Sequence, residues 1–378
     1  MQSISLLFAG DLAPTQSNYD LFANADLKAL VGSDLLKIFI STDFLLFNLE
    51  VPLTDTPNPI SKCGPNLIAP TSTIDGIKAI NPTLIGLANN HILDQDEQGL
   101  YSTINILKSN NIDSVGAGKN LQQAAQPYIF ERDGIKIGIY ACAEYEFSIA
   151  DRNKAGANSF DPLESIDHIN CLKAECDFVV VLYHGGKEHY RYPSPNLQKV
   201  CRKIAKKGAD LVICQHSHCI GCYEEYEGST IIYGQGNFIF DYSESEFWQT
   251  SLLVKVNIGG ENSIEYIPIV KKDNGVCLAE CQEGMDILAG FNERSLEILK
   301  DGFVEGQYRR FAEENIQLYL RSLSGFGKWL SRIDRKLLNG MLLRRKYNKN
   351  QLLEIQNYIE CEAHRELLLA GLLAEKRL

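Results

Sequence analysis

The chain has 378 residues, of which 45% are hydrophobic and 22% are charged, so it carries enough apolar material for a large buried core. Its formal net charge of −11 is uneven, because the residues before position 290 carry about −15 and the remaining tail carries about +4. This balance excludes a nucleic-acid-binding surface on the main part of the chain, and no apolar run approaches the ~18–20 residues needed to cross a bilayer.

The start of the chain and its cysteines indicate a cellular compartment. The first residues lead directly into an apolar strand, without a basic leader or a small-residue cleavage site. The eleven cysteines are scattered through strand-like and helix-like segments. These features predict reduced thiols and a cytoplasmic protein.

Short apolar runs that end beside polar side chains recur through the first part of the chain. Such runs predict strands, and each is followed by a residue able to bind a metal or a substrate. The predicted strands are residues 3–10 before Asp11, 44–48 before Glu50, 83–88 before Asn90 and His91, 178–183 before His184, 211–214 before His216 and His218, and 230–233 before Asn237.

The segments between these strands define the fold class. Helical patterns occur, for example, at residues 97–110 and 195–208, and alternating strands and helices predict a largely parallel sheet. Asp133-Gly134 and Gly259-Gly260 predict two antiparallel hairpins. Together these signals predict an α/β sandwich, with two packed mixed sheets flanked by helices, over residues 1–280.

The polar residues at the strand ends predict a shared site. Each alone has an ordinary explanation, since an Asp after a strand is often a helix cap and a His-Gly-Gly is often a turn. However, the loops at the carboxyl ends of strands converge in an α/β sheet. Alternate residues of an extended strand also share a face, so His216 and His218 can point to one place. We therefore predict a metal site formed by Asp11, Glu50, Asn90, His184, His216 and His218.

The ligand types predict the metal and the chemistry. Two carboxylates, one amide and three imidazoles suit Mn²⁺, Fe²⁺, Zn²⁺ or Co²⁺. The set is too large for one tetrahedral ion with an open position, so we expect two ions that share a carboxylate. Such a centre favours phosphoester hydrolysis. His91, with Asp94 one helical turn later, is predicted to be a proton donor oriented by that carboxylate, and Glu188 is a further candidate catalytic residue.

Two cations lie close to these motifs in an otherwise acidic domain. Lys187 and Arg191 follow His184 within a few residues, so they are predicted to attract an anionic substrate, either a small molecule or a polymer. Asn237 is a third candidate substrate-binding residue.

Several motifs occur in a characteristic order over residues 4–245. They are Gly10-Asp11, Asn48-Leu49-Glu50, Asn89-Asn90-His91 with Asp94, His184-Gly185-Gly186 with Glu188, Gln215-His216-Ser217-His218 and Gly236-Asn237-Phe238. Together they resemble the bacterial capsule synthesis protein family of the CapA type. That family is linked to poly-γ-glutamate and capsule production and is similar in fold to the calcineurin-like metallophosphoesterases.

The resemblance implies roles for particular residues. Asp11 matches the Asp of the first metallophosphoesterase motif, Glu50 stands at the place of the bridging acid, and Asn90 matches the amide ligand. His91 matches the catalytic histidine, and His184, His216 and His218 match the three late histidine ligands. It also implies a role with the capsule or polymer synthesis machinery.

Two departures from the family's pattern bear on the activity. Ala13 stands where the first metallophosphoesterase motif usually has a histidine ligand, and Gln215 replaces a glycine before the late histidines. The metal count and the choice between a phosphoester, an amide and a glycan-linked substrate therefore stay open. A competing hypothesis is a non-catalytic assembly or export factor that keeps the fold as a scaffold.

The tail, residues 281–378, is predicted to be a helical extension. Helical patterns cover residues 295–304, 308–323, 328–347 and 351–374. The third has Trp329 and several leucines interleaved with Lys and Arg, which is a basic amphipathic pattern. It predicts either a helix that packs on the catalytic domain with a solvated basic face or a peripheral contact with the inner, anionic face of a membrane.

Overall fold

The computed structural model describes residues 3–241 and 243–375. Its strands, in chain order, are β1 (Ile4–Leu12), β2 (Phe44–Leu49), β3 (Leu84–Gly86), β4 (Asp113–Val115), β5 (Ala117–Gly118), β6 (Tyr128–Arg132), β7 (Ile135–Ala143), β8 (Gly156–Ala157), β9 (Phe178–His184), β10 (Leu211–Gln215), β11 (Tyr223–Tyr226), β12 (Ser229–Tyr233), β13 (Asn237–Ile239), β14 (Thr250–Ile258), β15 (Ser263–Lys272) and β16 (Gly275–Leu278).

Helices connect and follow these strands. They are α1 (Tyr19–Ala23), α2 (Leu27–Ile40), α3 (Ile74–Ile80), α4 (Asp96–Ser109), α5 (Leu121–Ala124), α6 (Ser165–Glu175), α7 (Pro195–Lys206), α8 (Cys281–Glu297), α9 (Phe303–Leu323), α10 (Lys328–Lys336), α11 (Met341–Lys346), α12 (Lys349–Glu360) and α13 (Glu362–Ala374). Two short 3₁₀ helices cover Thr71–Thr73 and Glu246–Trp248. Among the described residues, no helix combines the length and the apolar character that crossing a membrane requires.

Two mixed sheets dominate the first part of the chain. The first has the order β16-β15-β14-β1-β2-β3-β4, with β13 also paired to β1, and its strands β1 to β4 are parallel. The second has the order β11-β12-β10-β9-β7-β6, with antiparallel strands at both edges. Both predicted hairpins are present, as β6–β7 and β14–β15.

The sheets pack face to face because the central strands are apolar on both sides. In β1, Leu6 and Phe8 belong to the buried cluster between the sheets, whereas Leu7 belongs to the cluster under the helices on the outer face. In β9, Val180 likewise faces the other sheet and Val181 faces the outer helices. The predicted α/β sandwich of two mixed sheets flanked by helices is confirmed.

One strand that carries a candidate ligand is longer than expected. The sequence pattern ended the first strand at Gly10, but β1 continues to Leu12. The additional length arises because Asp11 pairs with Asn237 and Leu12 with Ile239 of β13, after a shift in register. Asp11 is therefore fixed inside the sheet and does not lie in a loop.

The chain divides into two compact units, Met1–Glu305 and Gly306–Leu378. The boundary expected after residue 280 falls inside the first unit, because α8 contacts β11 and β15. Phe291 of α8 is fully buried against Tyr223 and Tyr266 of these strands. The helix thus completes the core between the sheets.

Three of the four helices expected in the tail differ from those in the structure, whereas the fourth, expected at 308–323, begins earlier, as α9 (Phe303–Leu323). The expected helix at 295–304 is wrong, because α8 ends at Glu297 and Gly302 adopts a positive φ of 68° before α9 begins. The expected helix at 328–347 is interrupted by Asn339 and Gly340, with φ values of 47° and 76°. The expected helix at 351–374 is divided at Cys361, which has an extended backbone.

Candidate metal centre

The candidate ligands gather where strands of both sheets end. Asp11 lies on β1 and Glu50 follows β2 in the first sheet, while His184 ends β9 and His216 follows β10 in the second. Asp11 is paired with Asn48 across the sheet, and His184 is paired with Gln215. Face-to-face packing of the sheets therefore brings acids from one sheet to imidazoles from the other.

Two groups of side chains have the spacing of a metal site, and they share one residue. Ligand atoms of Glu50, His184 and His216 lie within 4.8 Å of one another, and so do those of Glu50, Asp11 and His218. Glu50 thus stands between an imidazole pair and an Asp–His pair. This is the arrangement in which one carboxylate can serve two ions.

The buried environment of Glu50 is the strongest indication that this site binds a cation. Its side chain is fully buried, and no donor among the described residues hydrogen-bonds to either carboxylate oxygen. Burial, followed by the nearby charge of Asp11, raises the pKa of the Glu50 carboxyl to about 8. A buried carboxylate without donors is costly, so the residues present fit a bound divalent cation that would compensate its charge.

Asp11 is held rigidly by both of its oxygens. Its Oδ1 accepts a hydrogen bond from the side-chain amide of Asn48 at 2.8 Å, and its Oδ2 accepts one from the backbone N–H of His216 at 3.1 Å. The Nδ1 atoms of His184 and His218 each lie 3.8 Å from an Asp11 oxygen. Asp11 therefore links the first sheet to the loop that carries His216.

Asn90 joins the group around His184. Its Oδ1 lies 3.1 Å from Nε2 of His184, and Oε1 of Glu50 lies 3.3 Å from the same nitrogen. Burial lowers the pKa of His184, which favours the neutral imidazole that metals require. An amide oxygen, a carboxylate oxygen and a ring nitrogen thus converge on one point.

A turn, and not the extended strand that the sequence predicted, brings His216 and His218 together. β10 ends at Gln215, and both histidines adopt a positive φ, of 85° and 53°. Their ring centroids lie 5.9 Å apart, so a turn and not an extended strand sets their positions. Burial lowers the pKa of His216 well below its usual value, and its Nδ1 has no hydrogen-bond partner among the described residues. Positive φ at two non-glycine residues indicates strain that the site maintains.

His91 lies outside both ligand groups and belongs to a buried charged network with Asp94 and Lys62. Its Nδ1 lies 2.5 Å from Oδ2 of Asp94, which also accepts a hydrogen bond from the backbone N–H of Leu67 at 2.6 Å. The Lys62 ammonium contacts the other Asp94 oxygen and lies 3.2 Å from Nδ1 of His91. Asp94 contacts His91 as the sequence predicted, and these contacts are made by Nδ1 of His91 and not by Nε2.

Sequence reasoning gave no role to two asparagines that connect these parts. Asn48 donates to Asp11, and its own Oδ1 accepts a hydrogen bond from Asn89 at 3.1 Å. Asn89 in turn accepts a hydrogen bond from the backbone N–H of His91 at 3.1 Å. Asparagine can donate and accept at once, so the two residues couple Asp11 to His91. Their only signal in the sequence was their place in the Asn48-Leu49-Glu50 and Asn89-Asn90-His91 motifs.

The other predicted site residues have different partners. Lys187 and Glu188 are partly exposed and pair with each other, with 3.1 Å between Nζ and Oε2. Arg191 donates to the carbonyl oxygen of Ile220 at 3.0 Å, and its guanidinium lies over the ring of Phe247. Asn237 lies on β13 with its Oδ1 2.8 Å from Nδ1 of His218, so it is placed to orient that ring.

An aromatic group that sequence reasoning missed borders His218. The Trp248 ring lies 5.4 Å from that of His218, and Trp248 donates from Nε1 to Nε2 of His189 at 2.9 Å. His189 stacks on Phe247 with only 10° between the ring planes. These side chains come from the loop after β9 and from the 3₁₀ helix at Glu246–Trp248, two segments with no shared sequence motif.

Comparison with known proteins identifies the family. A model described as bacterial capsule synthesis protein PGA_cap matches residues 5–242. The PGA biosynthesis protein CapA of Bacillus subtilis (strain 168) is 29% identical over 253 residues, which are 63% of this chain and 66% of that protein. The capsule biosynthesis protein CapA of Bacillus anthracis is 29% identical over 210 residues, 53% of this chain and 51% of that protein. The chain thus spans about half to two thirds of the length of these relatives.

Similarity to a solved structure is weaker. A phosphatase from Mycoplasma pneumoniae has a TM-score of 0.47 and 17% sequence identity, and the similarity covers 72% of this chain and 95% of that one. The family assignment rests on the matched residues 5–242, which contain every candidate ligand described above. The chain belongs to the bacterial capsule synthesis protein family PGA_cap.

Proposed function

We propose that this chain is a metal-dependent hydrolase that acts in the production of a capsule, an exopolysaccharide or poly-γ-glutamate. The observation that carries the proposal is the buried Glu50 carboxylate, which accepts no hydrogen bond from any described residue and belongs to both ligand groups. The biological role is proposed from the names of the Bacillus relatives, which describe PGA and capsule biosynthesis. The polymer synthesis machinery is the proposed partner.

Each part of the site would have a separate task. Glu50, His184, His216 and Asn90 would hold one divalent ion, and Glu50, Asp11 and His218 would hold a second. Bound Mn²⁺, Fe²⁺, Zn²⁺ or Co²⁺ would supply a hydroxide near neutral pH and polarise the bond to be cleaved. His91 would give a proton to the leaving group from Nε2, because Asp94 occupies its Nδ1.

The substrate is proposed to be anionic and to carry a phosphoester or an amide. Lys187 and Arg191 are the proposed substrate-binding cations, although both already have partners in the structure. A substrate phosphate or carboxylate would have to compete with Glu188 for Lys187. That exchange is feasible because the pair is partly exposed and therefore weak.

The test is a substrate screen on the protein loaded with Mn²⁺, covering phosphomonoesters, phosphodiesters, γ-glutamyl peptides and capsule oligosaccharides. His91→Ala is expected to lower the rate on one class by about a hundredfold or more while leaving metal content unchanged. Glu188→Gln tests the second candidate catalytic residue, Glu188, in the same assay. No turnover of any class by the metal-loaded protein would contradict the hydrolase proposal.

A second candidate function is a non-catalytic assembly or export factor. It is favoured by Ala13, which is buried and whose backbone N–H donates to Ile239 on β13, at a place where the metallophosphoesterase motif usually has a histidine ligand. In a host that makes the polymer, Asp11→Ala and Glu50→Ala variants would then still support polymer production. Loss of polymer at normal protein levels would exclude this alternative.

A further inference from the structure

The second compact unit is organised around a buried carboxylate. Asp334 is fully buried, and its Oδ2 accepts a hydrogen bond from Arg321 at 2.9 Å. Its Oδ1 accepts one from the backbone N–H of Leu342 at 2.8 Å. Asp334 therefore ties α10 to the end of α9 and to the start of α11. The exposed side chains of α10 project from a fixed backbone.

These exposed side chains form one basic and aromatic surface. A groove of about 520 Å³ is lined by Lys328, Trp329, Arg332 and Arg335, together with Arg321 and Ser331. Arg321 is paired with Asp334, whereas Lys328, Arg332 and Arg335 form no ion pair with any residue that the structure describes. The cations of Lys328, Arg332 and Arg335 are therefore available to an external anion. We call these four residues, Lys328, Trp329, Arg332 and Arg335, the basic groove.

Large apolar side chains on α10 and just after it in the chain are exposed, and one of them, Trp329, lines the basic groove. Trp329 is 79% exposed and Leu337 is 77% exposed, and Leu330, Ile333 and Met341 are also exposed. Exposed apolar side chains that are mixed with cations are typical of a surface that lies in a membrane interface. Trp is enriched at that depth because its ring is apolar and its N–H is polar.

We propose that the basic groove docks on a bilayer surface that contains anionic phospholipids. Arg332 and Arg335 can bind lipid phosphates through planar guanidinium groups, and Lys328 adds a third positive charge. Trp329 and Leu337 then leave water for the boundary between headgroups and acyl chains. A soluble polyanion would pair with the cations but would leave both apolar side chains in water, so a lipid surface fits better. This inference does not depend on the hydrolase proposal.

The chain offers a direct optical test. Its two tryptophans are Trp248 and Trp329, so Trp248→Phe in the full chain leaves Trp329 as the sole reporter. The probes are vesicles of phosphatidylcholine alone and of phosphatidylcholine with about a third phosphatidylglycerol, at low salt. We expect a blue shift of the emission and co-sedimentation with the anionic vesicles only. Added salt should reverse both, since the charges are screened.

Charge reversal tests the assignment to particular residues. Arg332→Glu combined with Arg335→Glu should lower partitioning to anionic vesicles at least about tenfold. Lys108→Glu combined with Lys119→Glu makes the same change in net charge on exposed residues of the first unit and should leave partitioning unchanged. Circular dichroism checks that each variant is folded.

Four outcomes would overturn the proposal, and the first three concern binding to vesicles. They are equal binding to neutral and anionic vesicles, no binding to anionic vesicles at low salt, and equal weakening by the two pairs of charge reversals. A shift of Trp329 emission with soluble poly-glutamate and none with vesicles would also overturn it, because the surface would then bind a polyanion instead of a membrane.

Discussion

Replacing Lys62 by Met removes the positive charge from the buried network behind His91. The Lys62 side chain is only 3% exposed and that of Asp94 is fully buried, so water cannot replace the lost ammonium group. The methionine fills much the same volume without a charge. The Asp94 carboxylate would then face a partner that can no longer neutralise it.

The expected loss in the free energy of unfolding depends on the hydrogen bonds that Asp94 retains. Removing one partner of a buried ion pair typically costs about 3–5 kcal/mol in the free energy of unfolding. Asp94 retains hydrogen bonds with the backbone N–H of Leu67 and with Nδ1 of His91. We therefore expect the lower end of the range, about 3 kcal/mol. Asp94→Asn in the same chain should recover part of the loss, because the orphaned charge disappears.

The assay is urea unfolding of the metal-free protein followed by tryptophan fluorescence. A Trp329→Phe background leaves Trp248 in the first unit as the only tryptophan, so the signal reports the unit that contains Lys62. Lys187→Met is the matched control, because its pair with Glu188 is 40% and 48% exposed. Exposed pairs contribute less than about 1 kcal/mol. Equal small losses for Lys62→Met and Lys187→Met would refute the reasoning.

Three further predictions concern the centre itself. Burial raises the pKa of Glu50 in the folded protein to about 8, so the metal-free protein should lose roughly 3 kcal/mol of stability as the pH rises from about 5 to 8. Glu50→Gln should flatten that dependence in urea titrations. An unchanged pH dependence in Glu50→Gln would contradict the burial of a carboxyl that accepts no hydrogen bond from the described residues. Asn48→Ala should lower the free energy of unfolding of the metal-free protein by about 1–3 kcal/mol, because it removes the hydrogen-bond donor to Asp11. An equal loss in the control Asn153→Ala, at an exposed position, would refute the role of Asn48 in holding Asp11. Gly10→Ala should prevent stable folding, because the new Cβ would lie 2.0 Å from the carbonyl oxygen of Gly236. Gly86→Ala is the control and should be tolerated, because the atom nearest to its new Cβ is 3.6 Å away. Equal melting temperatures of the two variants would show that the close approach at Gly10 is absent.

The positions of the strands and of most candidate ligands could be predicted from the sequence because both depend on local pattern. Glu50 and His216 each stand directly after a strand, as the apolar runs indicated. Convergence at the carboxyl ends of the strands then follows from the α/β architecture. Asp11 lies among the other candidate ligands, but its strand is longer than the local pattern indicates, because pairing with β13 is a long-range contact.

The parts that could not be predicted depend on tertiary contacts. Nothing local distinguishes the side-chain amides of Asn48 and Asn89, which bond within the site, from amides that face solvent. Lys62 reaches His91 from a long loop whose conformation has no periodic pattern. The positive φ of His216 and His218 is enforced by contacts such as the bond from the His216 backbone to Asp11.

The C-terminal helices also differ in how far the sequence pattern indicated their ends and their buried residues. The break at Asn339-Gly340 had a visible signal, since Asn and Gly both tolerate positive φ. The division at Cys361 had none, because its neighbours continue a helical pattern of leucines. Burial of Asp334 was also hidden, since a lone acid in a basic helix reads as a surface residue until its bonds to Arg321 and Leu342 are known.

The most direct test of the central claim is the metal stoichiometry of the purified chain. After equilibration with Mn²⁺ or Zn²⁺ and removal of free metal, elemental analysis should find two ions per chain in the wild type and one in His218→Ala. Glu50→Gln should lose nearly all bound metal, because both ligand groups include that carboxylate. Glu188→Gln makes the same chemical change outside both groups and should keep two ions. Equal metal content in Glu50→Gln and Glu188→Gln would contradict a centre built on Glu50.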